Sequence, residues 1–280
     1  MRIRATVAAL TGTLALSALA VPAAQAADAP KVPNLAAFTA KAPADETVGD
    51  TKITKVTVNA GQDIVVGTSA KKTVKIAVTA TDPTGIEDAA AFLWHGTDFE
   101  AEDGIDGSMV PDVMEGDCTV VDATTSTCTT TVVADPSANI YSNVLAGKWK
   151  VWAIAQGKDG DHTSTDSYPT SVSVKRAAKL TTNASPEPVK KGRTITVTGA
   201  LTRANWDTSQ YAGYTSQSVK LEFKKKGASS YTTVKTVKSG SKGALKTTVT
   251  ASADGYFRYS FAGTSTTPSV TATSDFIDVQ

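Results

Sequence analysis

Residues 71–82 read KKTVKIAVTATD, and residues 148–155 read KWKVWAIA. In the first stretch Val74, Ile76 and Val78 fall on one side of an extended chain, with Thr73, Lys75, Ala77 and Thr79 on the other. Successive side chains of a strand point to opposite faces, so this period of two predicts a strand with one buried face. The second stretch alternates too, with Trp149, Val151, Ala153 and Ala155 opposing Lys150, Trp152 and Ile154. Trp149 is expected in a core. Trp152 is expected on the other face, exposed or packed under a loop.

The pattern around these strands is β throughout. Ile53, Val56 and Val58 precede a turn at Asn59, Ala60 and Gly61, and Ile64 to Val66 follows. Asp82, Pro83, Thr84 and Gly85 make a turn, after which Ala90, Phe92 and Trp94 begin the next strand. A long acidic loop is expected from His95 to Glu115, then a hairpin with strands near 119–121 and 129–133, and a closing strand at 170–175. One short helical turn fits between 134 and 145. High Val and Thr content and frequent turns, without a long amphipathic helix, predict a β-sandwich of about eight strands.

The only two cysteines, Cys118 and Cys128, sit on the two arms of that hairpin with nine residues between them. A disulfide there contributes about 2–3 kcal/mol. Metal binding would need further Cys or His ligands nearby, and a catalytic dithiol has closer spacing.

The chain begins with a basic head, Met1, Arg2, Ile3 and Arg4, followed by an apolar run over 5–20 and the small residues of Ala24, Gln25 and Ala26. This is the pattern of a secretory signal peptide, residues 1–26, and the run is too short for a membrane span. An Ala- and Pro-rich leader is expected over 27–46. An acidic sandwich over 47–176 follows, then a polar linker at 177–187 and a basic sandwich over 188–280. Strands in the last are expected at 194–199, 218–224, 232–238, 244–249, 255–262 and 275–279.

Residues 45–176 carry 20 acidic and 10 basic side chains, and residues 177–280 carry 6 and 14. Net charges of −10 and +8 therefore hide inside a total near zero. The acidic half suits cations, and the basic half suits polyanions or its own neighbour. Extracellular location makes nucleic acid an unexpected partner. A cell-wall or extracellular polymer, or a protein, is expected instead.

The second half resembles the Ig-like domains of secreted and surface proteins of high-GC Gram-positive bacteria. The resemblance is carried by PVKKGRTITVTG at 188–199, by GYFRYSFAGT at 255–264, and by the segments 269–273 and 274–279. The first half is similar to a Streptomyces-type secreted domain of unknown function in its Asp82–Ile86 turn and its cysteine pair. The resemblance implies an all-β protein of two Ig-like β-sandwich domains in tandem, extracellular, with no catalytic residues to carry over. Similar proteins are sometimes described as calcium-binding.

Eight carboxylates crowd residues 98–117, with Asp98, Glu100, Glu102, Asp103 and Asp106 the candidate metal ligands. Hard oxygens at alternate positions with glycines among them suit calcium, although EF-hand spacing is absent. The alternative is a solvated acidic loop. A carboxylate-pair hydrolase would need two of these acids facing each other across a groove.

Trp206, Tyr211 and Tyr214 share a loop expected over 204–215 and form the candidate ligand-binding set, since loop aromatics supply rigid contact area. Packing of that loop onto the end of the sandwich is the alternative. His162 stands beside Asp159, Asp161, Ser164 and Asp166 in an expected polar loop, without a nucleophile-elbow motif. Lys220, Lys224, Lys225, Lys226, Lys235, Lys238, Lys242 and Lys246 are expected to line one basic or ordinarily solvated sheet face. The leading expectation is a non-catalytic binding or envelope-associated protein, with a calcium-dependent module as the alternative.

Overall fold

The computed structural model describes residues 45–101, 103–170 and 172–280. The expected signal peptide, the expected leader up to residue 44 and the candidate ligand Glu102 lie outside the described residues. Eleven strands form the first half: β1 (Asp45–Val48), β2 (Lys52–Val58), β3 (Ile64–Val66), β4 (Lys72–Thr81), β5 (Ile86–Gly96), β6 (Ile105–Met109), β7 (Asp117–Val120), β8 (Thr125–Ala134), β9 (Gly147–Gly157), β10 (His162–Thr165) and β11 (Val172–Arg176).

One sheet runs β2-β4-β8-β7. The facing sheet has β5 and β10 on either side of β9, with β6 beyond β5 and β1 beyond β10. The start of β9 also pairs with β11, which lies parallel to β3. The alternation of residues 71–82 sends Val74, Ile76 and Val78 into the core, where they meet Ala89, Ala91 and Leu93 of β5 and Trp149, Val151 and Ala153 of β9. Strand β9 is buried on both faces. Trp152 and Ile154 join Ala90 and Trp94 in a second apolar cluster on the outer side, packed by Phe92, Phe99 and Met114.

The stretch expected as a continuous acidic loop contains β6. Its side chains alternate, and Gly107 and Met109 face inward. A Cβ on Gly107 would lie 2.8 Å from Leu145 Cδ2, so the glycine allows close packing of the edge strand. His162 and Ser164, placed in a loop by the sequence, are on β10.

The second half has β12 (Ala178–Leu180), β13 (Asn183–Ser185), β14 (Thr194–Asn205), β15 (Gln210–Gly213), β16 (Ser218–Lys225), β17 (Thr232–Lys238), β18 (Ala244–Thr250), β19 (Gly255–Phe261), β20 (Val270–Thr271) and β21 (Asp275–Ile277). Strand β14 organises one sheet: its first half pairs with β13 and β18, and its second half with β12 and β15. The other sheet is β17-β16-β19, with β20 and β21 along β19. Ile195, Val197, Leu201, Val219, Leu221, Leu245 and Tyr259 fill the space between. The Tyr259 hydroxyl donates to the Val197 carbonyl at 3.0 Å, and burial pushes its pKa up to about 12.

Two findings differ from the sequence reading of this half. Strands β12 and β13 fall within the stretch expected as a linker. The expected loop at 204–215 is largely a hairpin, since β14 runs on to Asn205 and β15 returns along it.

Each half is therefore two mainly antiparallel sheets packed face to face, and each also has one parallel pairing, β3 with β11 and Val189 with Val279. The chain is an all-β protein of two Ig-like β-sandwiches in tandem. The Cys118–Cys128 disulfide forms as expected. It joins the neighbouring strands β7 and β8 of one sheet, unlike the inter-sheet bridge of antibody domains.

Candidate functional site

Among the described residues of 98–106, the acidic side chains do not converge. Asp98 Oδ1 accepts the Glu100 amide at 3.0 Å, and Asp106 Oδ1 lies 2.5 Å from His95 Nδ1. Among the described residues, no three of these side chains bring carboxylate oxygens within 4.8 Å of one another. Asp50, Asp82 and Asp161 do so. They come from three turns at one end of the first sandwich, between β1 and β2, β4 and β5, and β9 and β10.

Asp50, Asp82 and Asp161 are the residues that could hold a hard cation. The two Asp82 oxygens already have donors: the Thr51 hydroxyl at 2.6 Å on one, and the Thr84 hydroxyl and amide at 2.6 and 2.8 Å on the other. Burial acts to raise the Asp82 carboxyl, but these donors outweigh it and hold its pKa below the ordinary value. The Asp50 amide donates to Asp161 Oδ2 at 3.0 Å. The trio thus binds three turns together through hydrogen bonds. Its sequence signal was three Asp- and Gly-bearing turns, too far apart to be grouped without the fold.

The three candidate aromatics are also engaged. Trp206 is 2% exposed and enters the core cluster of the first sandwich, where its indole Nε1 donates to the Gly67 carbonyl at 2.9 Å. Asn143 clamps the same turn. Its Oδ1 accepts the Trp206 amide, its Nδ2 donates to Asn205 Oδ1 and Asp207 Oδ2, and its amide donates to Asp207 Oδ1. Arg176 Nε donates to the Ala204 carbonyl at 2.6 Å at this junction, and burial pushes the guanidinium pKa down to about 10.

Tyr211 packs against the first core with Lys179 Nζ 3.8 Å above its ring. Tyr214 packs on the second core, edge-on to Phe261 and under the Arg203 guanidinium. The structure brings Trp206 and Tyr211 together at the junction of the sandwiches and places Tyr214 apart. Trp206 and Tyr211 cover the apolar end of the first sandwich, and Tyr214 packs on the core of the second.

Other groups with chemical capacity are similarly held. His162 is buried on β10, with Nε2 3.7 Å from Glu46 Oε2. Asp88 is 2% exposed; burial pushes its carboxyl pKa up, while the Gly116 and Ala89 amides donate to Oδ1 at 2.9 and 2.7 Å. A hollow of about 500 Å³ opens beside Trp149, lined by Lys148, Lys150 and Tyr168 without a carboxylate.

One surface is built differently. On the outer face of the β17-β16-β19 sheet, Lys224 of β16 pairs with Tyr256 of β19, and Tyr256 with Phe276 of β21. Tyr231, directly before β17, completes a row across four segments. Lys224 Nζ stands 5.1 Å from the Tyr231 ring centre and 5.2 Å from that of Tyr256. Arg258 stacks 3.6 Å over Tyr231, and Lys226 lies 5.5 Å over Phe276. Arg258 is held by Glu222 at 2.8 Å and Lys226 by Asp254 at 3.5 Å. The rings of Tyr231, Tyr256 and Phe276 are half-buried. The lysines were legible in the sequence as a cluster. The strand register sorts them, placing Lys220, Lys224 and Lys238 on this face and Lys246 on the opposite sheet.

These geometries define a tandem of Ig-like sandwiches with a cation–aromatic ladder on one outer sheet. No family model matches the sequence, and no curated protein is similar to it. Among solved structures, a marsupial T cell receptor is 11% identical, with 81% of this chain covering 72% of that one at a TM-score of 0.37. Fibronectin(III)-like modules of Clostridium thermocellum CbhA are 10% identical, with 80% of this chain covering 93% of theirs at 0.29. Dimeric latent PorU from Porphyromonas gingivalis is 11% identical over 82% of this chain, which spans 20% of the PorU chain, at 0.27. The fold assignment rests on the two pairs of facing sheets themselves. No helix among the described residues is long and apolar enough to cross a membrane.

Proposed function

We propose that the chain is an exported, non-catalytic binding module of the cell envelope or its surroundings, and that the outer face of the second sandwich is its contact surface. The basic head, apolar run and small residues of 1–26 support export, as does a disulfide, a bond that persists in oxidising compartments. The resemblance of 188–279 to Ig-like modules of bacterial surface proteins points the same way.

The observation that carries a binding role is the division of chemistry over the molecule. Asp82, Asp88, Asp106 and Asp161 take part in contacts that tie turns and strands together, whereas the ladder presents cations and half-exposed rings on an open sheet face. Function lives in such sites rather than in the sandwich itself.

The test is co-sedimentation of the mature chain, starting at Ala27, with isolated Gram-positive cell walls. The expected result is that the chain pellets with the walls, that Lys224→Gln combined with Tyr256→Ala returns it to the supernatant, and that Trp206→Phe does not. A chain that never pellets, or pellets equally with the ladder altered, refutes the reading.

A further inference from the structure

We infer that the ladder's ligand is a linear polysaccharide bearing carboxylate groups; this rests on the contact surface proposed above and names the class of ligand it takes. Three observations lead there. The first is periodicity. Neighbouring strands lie about 4.8 Å apart, so Tyr231, Lys224, Tyr256 and Phe276 form a ring–cation–ring–ring row roughly 14 Å wide. A row of repeated contacts suits a ligand of repeated units. A compact small molecule is bound in a concavity that covers most of its surface.

The second is charge. Among the described residues, Lys220, Lys224 and Lys238 have no carboxylate within ion-pair distance, and all three point from the same face. The Lys226 ammonium and the Arg258 guanidinium, which do have acidic partners, are held above rings rather than turned away from them. The half of the chain that builds this face carries 14 basic and 6 acidic side chains. Its complement is an anion.

The third is the interleaving of rings with cations. A polyanion recognised by charge alone needs only the lysines. Half-exposed Tyr256 and Phe276, 5.1 Å apart and tilted, add apolar area for the carbon-bound hydrogens of a sugar ring, while Lys224 beside them meets the carboxylate carried by that ring.

Binding of immobilised polygalacturonate to the full mature chain tests this, with neutral dextran and poly(glycerol phosphate) as comparison polymers. The expected result is binding to polygalacturonate that weakens with salt, with no binding to dextran. Lys220→Gln with Lys224→Gln weakens it roughly tenfold, and Tyr256→Ala about fivefold. Unchanged melting temperatures show that the variants remain folded, as expected for side chains on an outer face.

Equal binding of poly(glycerol phosphate) with no loss in Tyr256→Ala overturns the polysaccharide assignment in favour of bare charge. Low-salt self-association that disappears in the lysine variant overturns it in favour of the acidic half of a second copy. Absence of polygalacturonate binding, with wall sedimentation still dependent on the ladder, removes this ligand class and leaves the contact surface standing. If wall sedimentation is also indifferent to the ladder, both fall.

Discussion

Replacing Trp206 by Ala tests the most consequential contact in the molecule. The indole belongs to the second sandwich by sequence and to the core of the first by packing, at 2% exposure. Truncating a buried Trp to Ala costs about 3–5 kcal/mol through lost transfer energy and the cavity left behind. The Gly67 carbonyl also loses its donor, adding roughly 1 kcal/mol if water does not reach it. For a unit of this size, 1 kcal/mol moves the melting temperature by about 2–4 °C, so a fall of roughly 8–24 °C is expected.

Differential scanning calorimetry of the mature chain is the assay. The unaltered protein is expected to melt in one transition, because the junction couples the two cores. Trp206→Ala is expected to separate a lower transition for the first sandwich from an upper one for the second. Trp206→Phe keeps most of the apolar contact, loses the Gly67 bond, and is expected to lie between. A melting temperature within 1–2 °C of the parent, corresponding to at most about 1 kcal/mol, would refute the view that Trp206 completes the first core.

Other consequences can be measured on the same preparation. The Asp88 carboxyl is raised by burial, so the folded state holds its proton to higher pH than the unfolded state does. Stability from this group therefore falls as pH rises from the ordinary carboxylate range through the raised folded value. Asp88→Asn cannot titrate, and its melting temperature relative to the parent is expected to be higher at pH 7 than at pH 4; an identical offset at both would contradict the burial argument. Reduction of Cys118–Cys128, or replacement of both by Ala, is expected to cost about 2–3 kcal/mol in denaturant titrations, with the ladder's binding retained. Asp103→Asn with Asp106→Asn is expected to leave the difference in melting temperature between calcium and EDTA unchanged, since Asp106 is turned to His95. A calcium-dependent rise lost in that variant would restore the loop as a cation site.

The parts of the fold that were legible in sequence are those set by local alternation. Residues 71–82 and 148–155 each carry a period of two strong enough to place Val74, Ile76, Val78 and Trp149 in the core without knowledge of partners. Strand β6 was hidden because Asp106 and Ser108 supply its outer face and Gly107 its inner one, so its only strongly apolar inward side chain is Met109. The hairpin of β14 and β15 is hidden because Asn205, Asp207, Thr208, Ser209 and Gln210 give the segment a loop's polar composition, and the cover over Trp206 comes from residues far away in sequence. The site was less legible still. Asp50, Asp82 and Asp161 meet only through turns remote in sequence, and the ladder exists only once register sets Lys224 beside Tyr256. Pairwise register across four segments is a long-range property, and composition alone does not contain it.

The Trp206–Gly67 contact also governs when the protein can finish folding. The two residues are 139 positions apart, and synthesis delivers the chain from its N-terminus at about 5–20 residues per second. The last strand of the first sandwich ends at Arg176, 30 residues before Trp206, so every strand is present roughly 1.5–6 s before the indole that closes it. Through that interval the N-terminal half has an open apolar end where the indole will sit. Arrival of one side chain near residue 206 ends it.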